Sequence, residues 1–327
     1  MNRSTQSFIV SRRHSLQYLV AATLGTTQPL KAWSQAAWTP TKLVRIVVPW
    51  PPGGGSDLVA RLLSERLQVK LGQTVVVENR PGATGLIGSE QVYRATPDGY
   101  TLLLATMDSQ AISPHLNKVP FESLKYVPVA GLAKTGLVLM VRPGLSVTNM
   151  AEFKLLFQRK SLSYATPGPG SSMHLLNSFL GALLKADNPL HVPFQGLGPA
   201  VQAVLGDQVD MVIVPTSVAV QWTNRLKALA VTSGARLIAL PDVPTMLESG
   251  VNLSTESWFA LVAPPGTPDS IASVLSTATS EVMNSAELRS RLNDMGLQPF
   301  AGSRGDFVRF YETEYQRWGE IAKTAKL

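Results

Sequence analysis

Val47-Val48-Pro49-Trp50-Pro51-Pro52-Gly53-Gly54-Gly55-Ser56-Asp57 is the stretch on which the reading of this chain turns. The apolar run at 43–48 has the length and branched-residue content of a short buried strand. Prolines and glycines then force an abrupt turn, and apolar residues at 58, 59, 62, 63 and 67 recur at helical spacing. Ser56 or Asp57 is placed to cap that helix. A glycine-rich loop therefore runs straight into a helix N-terminus. Backbone N–H groups there lack helical partners, no bulky side chain covers them, and the helix dipole favours negative charge. Two readings of the loop stand at this point: one half of a site for a small anion such as a carboxylate, or a tight turn without a ligand. Three adjacent glycines favour the first, since a purely structural turn seldom needs so many permissive residues. Nucleotide loops do not fit. No lysine follows the glycines as a phosphate loop requires, and Leu58 stands where a dinucleotide fingerprint needs its third glycine.

Working outward toward the N-terminus, Arg12 and Arg13 precede a modest apolar run at 16–24, and Ser34-Gln35-Ala36 offers small residues at the positions a signal peptidase reads. Residues 1–36 are expected to be a cleavable export signal leading to the periplasm. Ser11-Arg12-Arg13-His14-Ser15-Leu16 also resembles a twin-arginine signal, although Ser15 departs from it, so the export route stays open. The 327 residues carry a net charge of +7. Four of the 29 basic residues and no acid fall in the first 36, so 25 bases face 22 acids in the remainder. That balance, without a basic run, gives no reason to expect nucleic acid as a partner. The chain has no cysteine, which excludes disulfides, thiol catalysis and a lipid-attachment thiol. An apolar content of 45% and a charged content of 16% suit a globular protein with substantial cores, and the length leaves room for two domains.

Downstream, 74–78 reads as a second strand leading into the glycine-rich Asn79-Arg80-Pro81-Gly82-Ala83-Thr84-Gly85 and a helix at 90–94. A third strand at 100–105 is followed by the polar loop Thr106-Met107-Asp108-Ser109-Gln110. Loops at strand C-terminal ends share one crevice in a parallel, doubly wound sheet, so this loop should lie near Gly53. Apolar runs at 126–132 and 137–141 follow, then a helix at 150–158 and a strand at 162–165. Thr166-Pro167-Gly168-Pro169-Gly170-Ser171-Ser172-Met173-His174 then repeats the opening device of strand, Pro/Gly loop and serine cap. Its helix has an apolar face of Met173, Leu176, Leu180, Leu183 and Leu184. A second α/β unit with a second anion-receptive helix start is expected, the two units facing across a cleft. Strands at 191–194, 211–214 and 229–232, an apolar run at 258–263, a helix pair from 268 to 295 and a strand near 298–301 complete the order. The terminal helix carries Phe307, Phe310, Tyr311, Trp318 and Ile321 on one face, which reads as core.

Catalytic constellations are hard to find. No G-x-S-x-G elbow occurs, and Ser172 and His174, two apart on one helix, point to different faces. After residue 36 the histidines are His115, His174 and His191, with no H-x-x-x-H pair, so neither a metal nor a cofactor is expected.

The ordered motifs resemble the receptor family of tripartite tricarboxylate transporters, the Bug or TctC-type solute-binding proteins. Pro49-Trp50-Pro51-Pro52-Gly53-Gly54 with Asp57, Glu78-Asn79-Arg80-Pro81-Gly82-Ala83 and Pro97-Asp98-Gly99-Tyr100-Thr101 carry the first part. Tyr164-Ala165 with Gly168, Gly170 and His174-Leu175 carry the second part, with Val192-Pro193-Phe194-Gln195-Gly196 and Gln208-Val209-Asp210. Leu240-Pro241-Asp242-Val243-Pro244-Thr245 and Trp258-Phe259 complete the set. The similarity runs from about residue 43 to the C-terminus. It implies an α/β, two-domain periplasmic-binding-protein (Venus flytrap, type II-like) fold with two doubly wound sheets and a hinge. The implied domains are 37–136 plus 262–327 and 137–261, hinged near 132–142 and 258–264.

The resemblance also implies that the protein is not an enzyme. It implies a monomer that closes on a small carboxylic acid or related solute and serves membrane transporter subunits. Sensing or signalling is an alternative role, and an α/β hydrolase the remote one. Backbone and hydroxyl groups of one loop per domain would hold the ligand. In this chain those are Trp50, Pro52, Gly53, Gly54, Gly55, Ser56 and Asp57, and Thr166, Gly168, Ser171, Ser172 and His174. Thr106, Asp108, Ser109, Gln195, Gly196 and Pro215 would complete the wall. Three departures bear on the ligand. Trp50 replaces the family's usual Phe, Asp108 and Gln110 replace a small, hydroxyl-rich turn, and Val214-Pro215-Thr216-Ser217 replaces a more polar segment. An acid at 108 either favours a ligand with a cationic group or points to solvent.

Overall fold

The computed structural model describes residues 38–325; the expected export signal at 1–36 lies outside them. The first unit follows from strand–helix alternation: β1 (Val44–Val48), α1 (Gly55–Leu71), β2 (Val75–Asn79), α2 (Leu86–Tyr93) and β3 (Thr101–Thr106). Strands β2, β1 and β3 lie parallel in that order. The buried face of α1, including Val59, Leu63 and Leu67, packs with Ile46, Val48 and Leu102 in one core. After β3 the chain enters a π-helical turn, Asp108–Ile112, then α3 (Ser113–Leu116).

The two apolar runs expected at 126–132 and 137–141 are a single strand, β4 (Val127–Val141). Beyond it come α4 (Met150–Arg159), β5 (Ser163–Thr166), α5 (Ser172–Leu184), β6 (Leu190–Pro193), α6 (Leu197–Leu205), β7 (Met211–Pro215), α7 (Thr216–Trp222) and β8 (Lys227–Val231). Then follow β9 (Glu256–Ala263), α8 (Asp269–Met283), α9 (Ala286–Asp294), β10 (Gln298–Pro299) and α10 (Arg304–Thr324). A capping box starts α10: Asp306 accepts from the Ser303 amide at 2.8 Å, and Ser303 Oγ accepts from the Asp306 amide at 3.2 Å. Phe307, Tyr311, Trp318 and Ile321 of α10 are buried as the pattern requires.

Strand β4 belongs to both halves of the sheet. Residues 127–136 pair antiparallel with β9, whereas 137–141 pair antiparallel with β7 and β8. The first half reads β2-β1-β3-β9-β4 with β10 alongside, and the second continues β4-β7-β5-β6. Each half is therefore mixed, not wholly parallel, because strands returning from the other half run against the βαβ strands. Residues 256–261, assigned from sequence to the second domain, lie in β9 and pair only within the first half. Residues 256–263, which overlap the expected hinge range 258–264, are ladder-bonded to β3 and β4. The pairing partners of β4 change at Gly136–Leu137, within the other expected range, 132–142, and Thr232–Thr255 lies beside that point. There the Leu137 amide donates to Thr232 Oγ1 (3.0 Å), Thr232 Oγ1 donates to the Thr255 carbonyl (2.7 Å), and the Thr255 amide donates to the Thr232 carbonyl (2.9 Å).

Candidate functional site

The first glycine loop is braced from behind. Gly53 sits at φ +85°, open to glycine at little cost, and its amide donates to Asp57 Oδ2 at 2.9 Å. Arg61 Nε donates to the same oxygen at 2.9 Å, and Asn79 Nδ2 donates to Asp57 Oδ1 at 2.9 Å and to the Trp50 carbonyl at 3.1 Å. Burial opposes ionisation of Asp57, but the Arg61, Gly53 and Asn79 donors outweigh it and hold the carboxyl below its ordinary range. Asp57 is thus spent on its own loop. The N-cap of α1 is Gly54, with no side chain to accept from the first-turn amides.

The segment after β3 is a helical turn, not the expected open loop. Thr106 Oγ1 and Ser109 Oγ lie 3.1 Å apart, the Ser109 amide donates to Thr106 Oγ1 at 3.3 Å, and Trp50 Nε1 donates to the same hydroxyl at 3.2 Å. This network buries Ser109 completely and orients the Trp50 indole. Gln110 is buried too, donating to Ser89 Oγ at 2.9 Å and accepting from the Tyr311 hydroxyl at 3.2 Å.

The second loop satisfies itself. Gly168 N donates to Thr166 Oγ1 (3.2 Å), and Gly170 N donates to His174 Nδ1 (3.1 Å). Ser171 Oγ accepts from His174 N (3.3 Å) and donates to the Gly168 carbonyl (2.7 Å). Behind it the His174 and His191 rings stack at 3.8 Å between centroids, and His191 Nε2 lies 2.7 Å from Thr166 Oγ1. Burial, and then the neighbouring His191 ring, hold His174 down to about 4. What this loop leaves over is Ser172 at the first position of α5; its hydroxyl donates to Met173 Sδ at 3.3 Å, and it lies beside the Asp108 carboxyl. Burial pushes the Asp108 carboxyl above its ordinary value, and the polar groups of Ser172 beside it pull in the opposite direction.

A cavity of about 730 Å³ lies between these elements. Residues 50–56 line it from the first loop, Thr106 and Asp108 from the turn after β3, and Ser257 and Phe259 from β9. Ser172, Met173, Leu197, Pro215, Ser217 and Val218 line it from the second half, with Thr135, Leu137 and Leu297 at the junction. Of the residues singled out from sequence, Trp50, Pro52, Gly53, Gly54, Gly55, Ser56, Thr106, Asp108, Ser172 and Pro215 come together on this wall. Asp57, Ser109, Thr166, Gly168, Ser171, His174, Gln195 and Gly196 stand outside it. The first six of these hold the loops from behind, Gln195 is exposed, and Gly196 is the N-cap of α6, which presents Leu197 instead.

Sequence reasoning missed Phe259. Alternation along β9 turns Trp258 into the core and Phe259 toward the cavity. A Cβ on Gly55 would lie 3.6 Å from the Phe259 ring, so the bare loop and the aromatic wall fit each other. No lysine, arginine or histidine is among the described lining residues, and the described residues contain no group of His, Asp and Glu fit to hold a metal. Such a wall can bind through amides, hydroxyls and apolar contact, with one carboxylate as its only ionisable group.

These features define a solute-binding protein of two α/β halves around a central cleft. The profile of the tripartite tricarboxylate transporter family receptor matches residues 59–327, and the chain belongs to that family. It is 33% identical to BugT of Bordetella pertussis over 312 residues, covering 92% of this chain and 94% of BugT. Among solved structures it matches MatC of Rhodopseudomonas palustris with bound malate at TM-score 0.73 and 31% identity, over 86% of this chain and 99% of that one. It matches Rpa4515 of R. palustris with adipate at TM-score 0.73 and 30% identity, over 88% and 98%. The family and fold are those of periplasmic solute-binding receptors, not of enzymes. No helix among the described residues is long and apolar enough to cross a membrane.

Proposed function

We propose that this chain captures a small carboxylated organic solute in the cavity and presents it, as a monomer, to the membrane subunits of a tripartite tricarboxylate-type transporter. The observation that carries the reading is the uncapped start of α1, where residues 54–56 line the cavity with no basic side chain beside them. A helix N-terminus of this kind stabilises an anion through amides and dipole. Support also comes from two structural relatives with carboxylic acids, MatC with bound malate and Rpa4515 with adipate.

Closure would pivot where the halves join, at Gly136 and at the Thr232–Thr255 pair, and the closed form would be what the transporter recognises. We place the lobes at 38–136 with 256–325 and at 137–255, and take residues 1–36 as the signal that sends the protein to the periplasm. Calorimetric titration of the mature protein with mono-, di- and tricarboxylates tests the reading. Saturable binding of at least one acid, abolished by Gly54→Val, is expected. Binding that survives this substitution unchanged removes the α1 start from the site.

A further inference from the structure

Both helix starts were expected to be open to a ligand anion, yet one of them already faces a carboxyl group of this chain. Asp108 is the one ionisable side chain among the described lining residues, and on the cavity wall it lies beside Ser172, the first residue of α5. The neighbouring donors of that loop are used internally, by Thr166, Ser171 and His174. The α1 start across the cavity has no such occupant.

A solute with two carboxylates would set one against residues 54–56 and carry the other toward Asp108. No basic lining group is present to separate the two charges, and like charges in a partly desolvated site repel strongly. A solute with one carboxylate and one ammonium group meets the opposite situation. Its carboxylate takes the α1 amides, and its nitrogen donates to Asp108 as a charge-assisted hydrogen bond. We propose that Asp108 is the specificity-determining residue of this receptor, and that it selects amino-bearing monocarboxylates and rejects dicarboxylates. The proposal rests on reading the cavity as a carboxylate receptor and adds the chemistry at its other end.

Matched probes of equal length separate the possibilities: hexanoate, 6-aminohexanoate and adipate, and likewise butyrate, 4-aminobutyrate and succinate. Affinities are measured by calorimetry for the wild-type mature protein, Asp108→Asn and Asp108→Ser, with melting temperatures to verify folding. In the wild type the amino acid is expected to bind at least about tenfold more tightly than the diacid of the same length. Both variants should lose about tenfold for the amino acid and gain for the diacid, so that the amino-acid-to-diacid ratio falls by about tenfold or more. A wild type that prefers the diacid overturns the proposal, as would tighter diacid binding on acidification, which marks Asp108 as a neutral donor. Binding of the monoacid with an unchanged amino-acid-to-diacid ratio in the variants removes Asp108 alone. Failure of every probe, the monoacids included, sinks the carboxylate reading and this proposal with it.

Discussion

Two loops of this protein share one sequence device and end in opposite electrical states. Each leaves a strand through prolines and glycines and enters a helix beside serine. At α1 the cap is glycine, and the acid that could have capped, Asp57, turns back to hold Gly53, Arg61 and Asn79. At α5 the cap is Ser171, its hydroxyl is spent on His174 N, and the next residue meets Asp108. The same motif therefore leaves an uncapped helix start on the cavity wall in one place and a self-satisfied support in the other. What decides is where the nearest oxygen acceptor happens to sit.

The sharpest break of that comparison pairs two glycines. Gly54 has an ordinary extended backbone, φ −81° and ψ 171°, and an added Cβ would lie 3.8 Å from the Pro51 carbonyl. Gly54→Val should fold with a melting temperature close to wild type and lose about a hundredfold or more in ligand affinity by calorimetry, because its side chain covers the α1 amides. Gly170 sits at φ +73° outside the cavity wall. Gly170→Ala should do the reverse, lowering stability by about 1 kcal/mol through left-handed strain while affinity holds. A Gly170→Ala protein that melts normally and fails to bind would reverse the roles assigned to the loops.

Asp57→Ala strips the acceptor from the Gly53 and Asn79 amides and from Arg61. A stability loss of about 2 kcal/mol is expected in denaturant melts, with affinity falling about tenfold as the loop loosens. A pH series probes the second loop. The His174 ring takes its proton near its ordinary 6.5 when unfolded but only near about 4 in the native state. Between those values the unfolded chain binds more protons, so native stability should fall as pH drops through this window. His174→Gln, which keeps an oxygen acceptor for Gly170 N, should flatten that slope; an unchanged slope would assign acid sensitivity elsewhere. The smallest effect belongs to Trp50→Phe, which loses the 3.2 Å bond to Thr106 and keeps an aromatic ring on the cavity wall. Affinity should change by no more than about threefold.

Much of the fold was legible because it is written in local periodicity. The βαβ units, both loop-to-helix starts and the α10 core face follow from apolar spacing and from proline and glycine. The first loop's place beside a cleft was legible for the same reason. What local pattern could not carry was pairing across distance. Nothing in 126–141 says that one strand serves both halves, since a fully buried strand looks the same whichever neighbour it has. Likewise Thr166, Gly168, Ser171 and His174 match the motif, yet their donors face one another, a matter of hydrogen-bond partners and not of residue type. Asp108 was noticed as a departure. Its contact with Ser172 needed the fold, because the two lie far apart in sequence.

The position of β9 has a consequence for how the chain must be completed. In the sheet it lies between β3 and β4, although it follows both by more than a hundred residues. A chain ending before Glu256 would therefore hold a strand-wide slot with two raw edges, each offering unpaired amides and carbonyls to any extended segment nearby. Truncations that remove β9 should consequently give sticky, aggregating material and not a smaller folded protein. The late strand acts as a keystone, and until it arrives the early half of the molecule has no finished sheet.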